Sequence, residues 1–177
     1  LDDGMQKAWK GSLPGGRAQE QGGIAVQKAD GTYEFRAGKP GTAGAFTTNY
    51  GDVKPGEKVV AAAHTHPYDK TEGNYTGVPF SGPDLANAVS YPDVVRTVQS
   101  GDKQFAAVPS TEFRARVAGL DDAGKSKLRT EMKAHFESTF AAATGDFPSR
   151  VDAAVRAVSR EYGLGYYAGT DGLLTRQ

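Results

Sequence analysis

An uninterrupted apolar run, Val59 to Ala63, leads directly into the sequence His64-Thr65-His66-Pro67. An apolar run of this length predicts a buried strand. Side chains along a strand alternate between its two faces, so residues two positions apart point the same way. His64 and His66 therefore share one face, with their imidazoles close enough to hold one ion. Two of the chain's three histidines lie here, and we expect the chemistry of the protein at the end of this strand.

Composition excludes several classes of function. The 177 residues suit a single domain over residues 1–177, long enough to bury a proper core. The 21 basic and 21 acidic residues cancel, so no global charge attracts nucleic acid or an anionic membrane. No apolar run approaches the roughly 18 residues of a membrane span, and no signal peptide is recognisable. The absence of cysteine excludes disulfides, thiol catalysis and cysteine-based zinc sites.

The rest of the chain predicts further strands around the central one. Asp30-Gly31 is a two-residue hairpin signal between two short alternating segments, and Asp171-Gly172 turns a closing hairpin. The polar, glycine-rich stretch over 38–56 predicts a long loop. Besides the central strand, we expect strands at 24–28, 32–36, 104–109 and 112–118, and the closing hairpin at about 164–175.

Several segments predict helices. A short turn is expected around residues 5–9, and Ser81 with Pro83 in the first turn begins a helix that runs to about Val89. Asp121 or Asp122 caps an amphipathic helix whose apolar residues recur every fourth position, at Leu128, Met132, Phe136 and Phe140. Ser149-Arg150-Val151-Asp152 predicts a capping box that opens a last helix. Strands interrupted by helices predict an α/β (α+β) fold, in which helices flank a central mixed β-sheet.

Two imidazoles on one face and one carboxylate form a suitable ligand set for Zn²⁺ with its fourth position open to water. Asp84 supplies the carboxylate if the helix that Ser81 caps abuts the end of the central strand. Zinc lowers the pKa of its bound water to about 7, which gives a nucleophile at neutral pH. Glu20 is our candidate for the base that accepts the water's proton, and the Ser81 hydroxyl for the donor to the developing oxyanion.

These residues resemble a known family. Glu20, then His64-Thr65-His66-Pro67, then Ser81-Gly82-Pro83-Asp84 is similar to the signature of the JAMM (MPN, or JAB-type) zinc metalloproteases. Glu20 to Ile24 and Phe80 to Leu85 resemble, more narrowly, a bacterial branch found as C-terminal domains of secreted toxin or effector polyproteins. The interval from Pro67 to Pro83 is longer than the family pattern usually has, and it is expected to form a lid or a substrate-binding edge.

The resemblance implies an architecture and a set of roles. It implies a JAMM/MPN-like (cytidine-deaminase-like) core over about 20–118, with an added helical pair over about 121–162. His64, His66 and Asp84 would be zinc ligands, Glu20 the general acid/base, and Ser81 the stabiliser of the tetrahedral intermediate. The implied activity is that of a metallopeptidase or isopeptidase acting on a protein or peptide substrate.

The resemblance also implies partners and a location. A larger carrier polyprotein and a cognate immunity protein are the candidate partners, with no nucleic acid and no membrane span. The chain begins at Leu1 rather than Met, as a piece released from a longer protein would. We expect a domain that is secreted or delivered into a target cell, and otherwise a cytoplasmic one.

Alternatives remain open at this point. Ser81 and Asp84 also fit a purely structural cap, and Glu34 or Glu57 could take the place of Glu20 as the base. A non-catalytic MPN-type binding or scaffold module has the same fold, and a metal-dependent nuclease toxin is a further, disfavoured alternative. Two other zinc schemes are excluded because the chain has no His-Glu-x-x-His and no Pro-Cys-x-x-Cys. A Ser-His-Asp hydrolase that uses Ser81 is a conceivable alternative, but Ser81 lacks the surrounding Gly-x-Ser-x-Gly motif.

Overall fold

The predicted central strand is β3, Lys58–Thr65, which lies inside one mixed sheet of a computed structural model that describes residues 2–177. The expectation that the chain is a piece of a longer protein was drawn from Leu1, which lies outside the described residues. Along the sheet the strand order is β2-β1-β3-β4-β5-β6-β7. The other strands are β1 Gly22–Gln27, β2 Tyr33–Ala37, β4 Val95–Ser100, β5 Lys103–Pro109, β6 Leu164–Thr170 and β7 Leu173–Arg176.

The pairing of β3 determines where the chain must cross over. Its partner on one side, β1, is antiparallel, whereas its partner on the other side, β4, is the one parallel neighbour in the sheet over 2–177. Parallel strands cannot be joined by a tight hairpin, so the chain needs a crossover segment between them. That crossover contains helix α2, Gly82–Ala86, and it brings the start of α2 back towards the carboxyl end of β3.

Four longer helices accompany the sheet. They are α1 Asp2–Lys10, α3 Thr111–Ala118, α4 Asp122–Ala142 and α5 Phe147–Tyr162. The helices α4 and α5 contact each other and α2, and the main core between them and the sheet includes Phe80, Leu85, Met132 and Val155, none of which is measurably exposed. Among the described residues, no helix combines the length and the apolar character that crossing a membrane requires.

The coarse fold class is confirmed, because helices flank a mixed sheet. The predicted hairpin with a two-residue turn at Asp171-Gly172 is present. The hairpin around Asp30-Gly31 is also present, but its connection is longer than the predicted two residues and covers 28–32. Helices occupy the predicted helical pair. The last helix begins earlier than predicted: Asp146, not Ser149, is the N-cap, and its Oδ1 accepts a hydrogen bond from the Ser149 N–H at 2.9 Å.

The strand predicted at 112–118 is wrong, because these residues form helix α3. Ser110 caps it, accepting the Phe113 N–H at 3.1 Å. Phe113 and Val117 are both buried, as expected for residues four apart on one helical face. Strand β4 was not predicted from the sequence; its buried residues include the polar side chains of Arg96, Gln99 and Ser100.

Candidate metal centre

The two histidines lie at the carboxyl end of β3, between two strands that hold the backbone there. His64 pairs with Gly22 of β1 on one side and with Val98 of β4 on the other. A Cβ atom at Gly22 would lie 2.2 Å from the Ala63 carbonyl oxygen, so this close approach of β1 and β3 requires glycine. The glycines of the Glu20-Gln21-Gly22-Gly23 sequence therefore help to place Glu20 beside the histidines.

The ligand atoms of His64, His66 and Asp84 converge on one point. The two Nε2 atoms are 3.0 Å apart, His64 Nε2 is 3.3 Å from Asp84 Oδ1, and His66 Nε2 is 3.3 Å from Asp84 Oδ2. Two ligand atoms bound tetrahedrally to zinc at about 2.0–2.1 Å stand about 3.3 Å apart. The three side chains therefore fit a small tetrahedral cation, and the fourth position remains for water or substrate.

The orientation of His66 is fixed by its surroundings. Its Nδ1 lies 2.7 Å from the Pro79 carbonyl oxygen, and because a carbonyl can only accept, Nδ1 is the donor. In the neutral ring this leaves the lone pair on Nε2, which faces Asp84 and His64. The backbone is held as well, since the His66 N–H donates to the Gln99 carbonyl at 2.9 Å and the His66 carbonyl accepts from Ser100 Oγ at 3.0 Å.

The electrostatics of the centre favour a positive charge between these groups. Burial lowers the pKa of His66, but the hydrogen bond to Asp84 and its charge outweigh burial, so the pKa of His66 is raised. Burial by itself would raise the pKa of Asp84, but the two imidazoles hold it well below its ordinary value. Electron-rich atoms this close repel one another unless a proton or a cation lies among them. The donor set of two imidazoles and a carboxylate is suited to zinc.

Ser81 and Asp84 form the capping box at the start of α2. Asp84 Oδ2 accepts from the Ser81 hydroxyl at 2.6 Å and from the Ser81 N–H at 2.8 Å, while the Asp84 N–H donates to Ser81 Oγ at 3.3 Å. These bonds fix the carboxylate so that it faces the histidines. Ser81 has a single hydroxyl proton, which it donates to Asp84. The predicted hydrogen bond from this hydroxyl to an oxyanion therefore requires that the hydroxyl first rotate away from Asp84.

Glu20 lies in the same cleft, and its side chain is only 6% exposed. Gly22 pairs with His64 in antiparallel register, and beyond this pair the Thr65 N–H donates to the Gln21 carbonyl. If the same register continues for one more residue, Glu20 lies opposite His66. Burial raises the pKa of Glu20 above its ordinary value; the two histidines oppose the shift, and Asp84 adds to it. A carboxyl group with a raised pKa is suited to exchanging protons near neutral pH.

The two alternative bases are engaged elsewhere. Arg36 forms ion pairs with Glu57 at 2.8 Å and with Glu34 at 2.9 Å. Neither glutamate lines the cleft at the centre. Of the three candidates, the structure brings Glu20 alone to the histidines.

The cleft has a volume of about 470 Å³, and it contains residues that the sequence analysis did not assign to the site. Phe46, from the long loop before β3, stacks on His64 with ring centroids 6.4 Å apart. Tyr68 follows the histidine motif, and burial followed by the charges of Glu20, Asp84 and Glu72 raises its pKa to about 12, so its phenol keeps its proton. Arg129 and Lys133 of α4 also line the cleft. Tyr68 belongs to the interval predicted to border the site, but no local motif marks Phe46, Arg129 or Lys133, since only tertiary packing brings them to the cleft.

The long interval between His66 and Asp84 is tied down at several points. Asp69 is buried, and its Oδ2 accepts the Ala18 N–H at 3.2 Å. The Gly77 N–H donates to the Ser100 carbonyl at 3.0 Å, and Val78 and Phe80 are part of the core. Of the two predicted roles for this interval, these contacts favour a fixed edge of the cleft over a lid.

The structure brings all five predicted site residues together. His64, His66 and Asp84 converge on one point, and Glu20 and Ser81 line the same cleft as His66 and Asp84. Comparisons of the chain with protein-family models, with curated proteins and with solved structures find no match. The assignment of a function therefore depends on this geometry and on the chemistry of these side chains.

Proposed function

We propose that this protein is a zinc-dependent metallopeptidase or isopeptidase that hydrolyses an amide bond, as the toxin or effector domain of a secreted bacterial protein. The observation that carries the proposal is the convergence of His64, His66 and Asp84 within hydrogen-bonding distances of one another, with the buried Glu20 in the same cleft. The resemblance to the JAMM metalloproteases supports the same conclusion.

Each residue has a role that follows from its position. His64, His66 and Asp84 would hold the zinc ion, with His66 oriented by the Pro79 carbonyl. When bound, zinc supplies Lewis-acid chemistry and lowers the pKa of a coordinated water to about 7. Glu20 accepts a proton from the attacking water on its carboxylate and then donates that proton to the leaving amine nitrogen as the carbon–nitrogen bond breaks. Its buried position keeps the proton from exchanging freely with bulk water.

The cleft supports an extended substrate. Phe46, Tyr68 and two residues of α4, Arg129 and Lys133, line the cleft around the centre. A cleft of about 470 Å³ is within the size range of ligand-binding pockets and has room for a short stretch of polypeptide. The Tyr68 phenol, which stays protonated, is available as a hydrogen-bond donor to the substrate.

The decisive experiment combines metal analysis with a matched pair of variants. Purified protein loaded with zinc and dialysed should retain about one zinc per chain, and Glu20→Gln should retain the metal but lose hydrolysis. Glu34→Gln, a change of the same kind on β2, is the control and should keep the wild-type rate. Proteomic mapping of new termini in a protein mixture detects hydrolysis of any substrate protein that the mixture contains.

Three outcomes would overturn parts of the proposal. Full activity in Glu20→Gln would refute the role of Glu20. Zinc binding without any hydrolysis by the wild type would indicate a binding or scaffold module. Chelator-sensitive cleavage of DNA or RNA, with no new protein termini, would indicate a nuclease.

A further inference from the structure

A second, apolar recess of about 180 Å³ opens beside the candidate metal centre. It shares three lining residues, His66, Tyr68 and Ser81, with the cleft at the centre. We call it the aromatic recess, because its outer walls are formed by Phe136, Phe140 and Phe147. An apolar cavity of about 150 Å³ in a protein interior admits benzene, so the aromatic recess is large enough for one bulky apolar side chain.

The rings that form the recess hold one another in place. Phe136 and Phe140 are stacked with centroids 6.5 Å apart and planes 6° apart. Phe147 meets Phe140 edge to face at 5.9 Å, and Tyr68 meets Phe147 in the same way at 5.6 Å. Mutual contacts of this kind are favourable for aromatic rings. The recess is therefore formed before any ligand arrives, and little conformational entropy is lost when it is filled.

The lining of the recess selects by polarity. Among its lining residues, His66 and Tyr68 alone carry titratable side chains, and His66 is turned towards the centre by its bond to Pro79. A charged side chain placed in the recess would lose its hydration without gaining an ionic partner. A Leu, Ile, Met or Phe side chain would instead remove apolar surface from water.

We propose that the aromatic recess binds the bulky apolar side chain of the substrate residue next to the scissile bond. This inference rests on the proposed function, because it takes the carbonyl under attack to lie at the metal centre. His66 and Ser81 line both spaces, so a residue whose carbonyl lies at the centre has its side chain at the mouth of the recess. The substrate class is a polypeptide with a large apolar residue at the cleaved bond.

The first test is a peptide library with one varied position on each side of the scissile bond. Zinc-loaded wild-type protein should cleave peptides with Leu, Met or Phe at one of these positions at least tenfold faster than those with Ala or Asp, since one methylene in an apolar pocket is worth roughly tenfold or more. Val151 lines the recess, so Val151→Phe should fill it and reverse the preference towards Gly or Ala. Phe147→Ala should weaken the preference by removing a wall.

Tyr162→Ala is the matched control, because Tyr162 is a half-buried aromatic residue of the same helix that lies outside the recess. This variant should keep the wild-type preference. Equal cleavage of the Leu and Ala peptides by the wild type, or an unchanged preference in both recess variants, would overturn the inference while leaving the proposed function intact.

The second test does not depend on hydrolysis. The metal-free protein is titrated with N-acetyl-leucine amide and with N-acetyl-alanine amide, and binding is followed by NMR shifts of residues around the recess. The leucine amide should bind at least tenfold more tightly, and Val151→Phe should abolish the difference. If the leucine amide binds in this way but no peptide is cleaved, the proposed function fails and the recess remains a binding site. Equal binding of the two amides would refute the recess itself.

Discussion

Replacement of Ser81 by alanine tests whether the Ser81 hydroxyl orients Asp84 or acts on the reacting substrate. The variant removes the 2.6 Å bond from Ser81 Oγ to Asp84 Oδ2 and the 3.3 Å bond that Oγ accepts from the Asp84 N–H. Loss of a helix cap costs about 0.5–2 kcal/mol of stability. Loss of a bond that orients a metal ligand lowers metal affinity by about 10–100-fold. Because the Ser81 N–H still donates to Oδ2 at 2.8 Å, we expect a loss near tenfold.

The assay is a zinc titration of metal-free protein in competition with a chromophoric chelator, together with urea unfolding without metal. Ser81→Thr retains the hydroxyl and should bind zinc like the wild type. Ser110→Ala removes the cap of α3, which accepts the Phe113 N–H at 3.1 Å, so it should lose comparable stability without losing zinc affinity. Wild-type zinc affinity in Ser81→Ala would refute the positioning of Asp84 by Ser81. If its kcat fell at unchanged zinc affinity, the hydroxyl would act on the reacting substrate instead.

Three further changes test the scaffold of the site by urea unfolding. Gly22→Ala places a Cβ 2.2 Å from the Ala63 carbonyl oxygen, so it should lower the free energy of unfolding by about 1–3 kcal/mol and weaken zinc binding. An unfolding midpoint equal to that of the wild type would show that β1 can shift freely. Met132→Ala empties a wholly buried position of α4 and should cost about 2–5 kcal/mol; a smaller loss would mean that the core collapses around it. The hydrogen bonds from Arg36 lower the pKa of Glu57 to about 2. The stability that this pair contributes is therefore fully present above the ordinary pKa of a glutamate and is lost as the pH falls towards 2. The difference in free energy of unfolding between the wild type and Glu57→Gln should narrow from pH 5 to pH 2. A constant difference would argue against the ion pair.

The arrangement of the three proposed metal ligands could be predicted from the sequence because local rules determine their geometry. Strand alternation places His64 and His66 on one face, and a capping box aims Asp84. The position of Glu20 follows from antiparallel pairing of β1 with β3, which the sequence suggests only through the Gly22-Gly23 pair. These features depend on residues close in sequence or on one strand register.

The secondary-structure predictions failed where tertiary contacts override local sequence patterns. In α3, Phe113, Ala115 and Val117 alternate with polar residues, which imitates a strand, but a cap at Ser110 and helical burial of Phe113 and Val117 decide the outcome. Strand β4 looks too polar to be buried. Its Arg96 is only 5% exposed, and partners outside the strand accept hydrogen bonds from its two terminal nitrogens: Tyr50 Oη at 2.7 Å and the Asn87 carbonyl at 2.9 Å.

The aromatic recess escaped prediction for a related reason. Phe136 and Phe140 recur at helical spacing, which indicated a face of α4 turned to the core. They do contact the core, but both remain partly exposed at the edge of the site. Periodicity reveals which face of a helix is apolar, and it does not reveal where that face ends beside an opening.

The parts of the site come from separate stretches of the chain. The predicted ligands and base all lie within residues 20–84, whereas the aromatic walls contributed by α4 and α5 lie beyond residue 121. Changes confined to the side chains of α4 and α5 that line the recess therefore leave the ligand set untouched, as long as the core residues of these helices are kept. Under the proposed function, variants of this kind would alter which peptides are cleaved while His64, His66, Asp84 and Glu20 stay as they are.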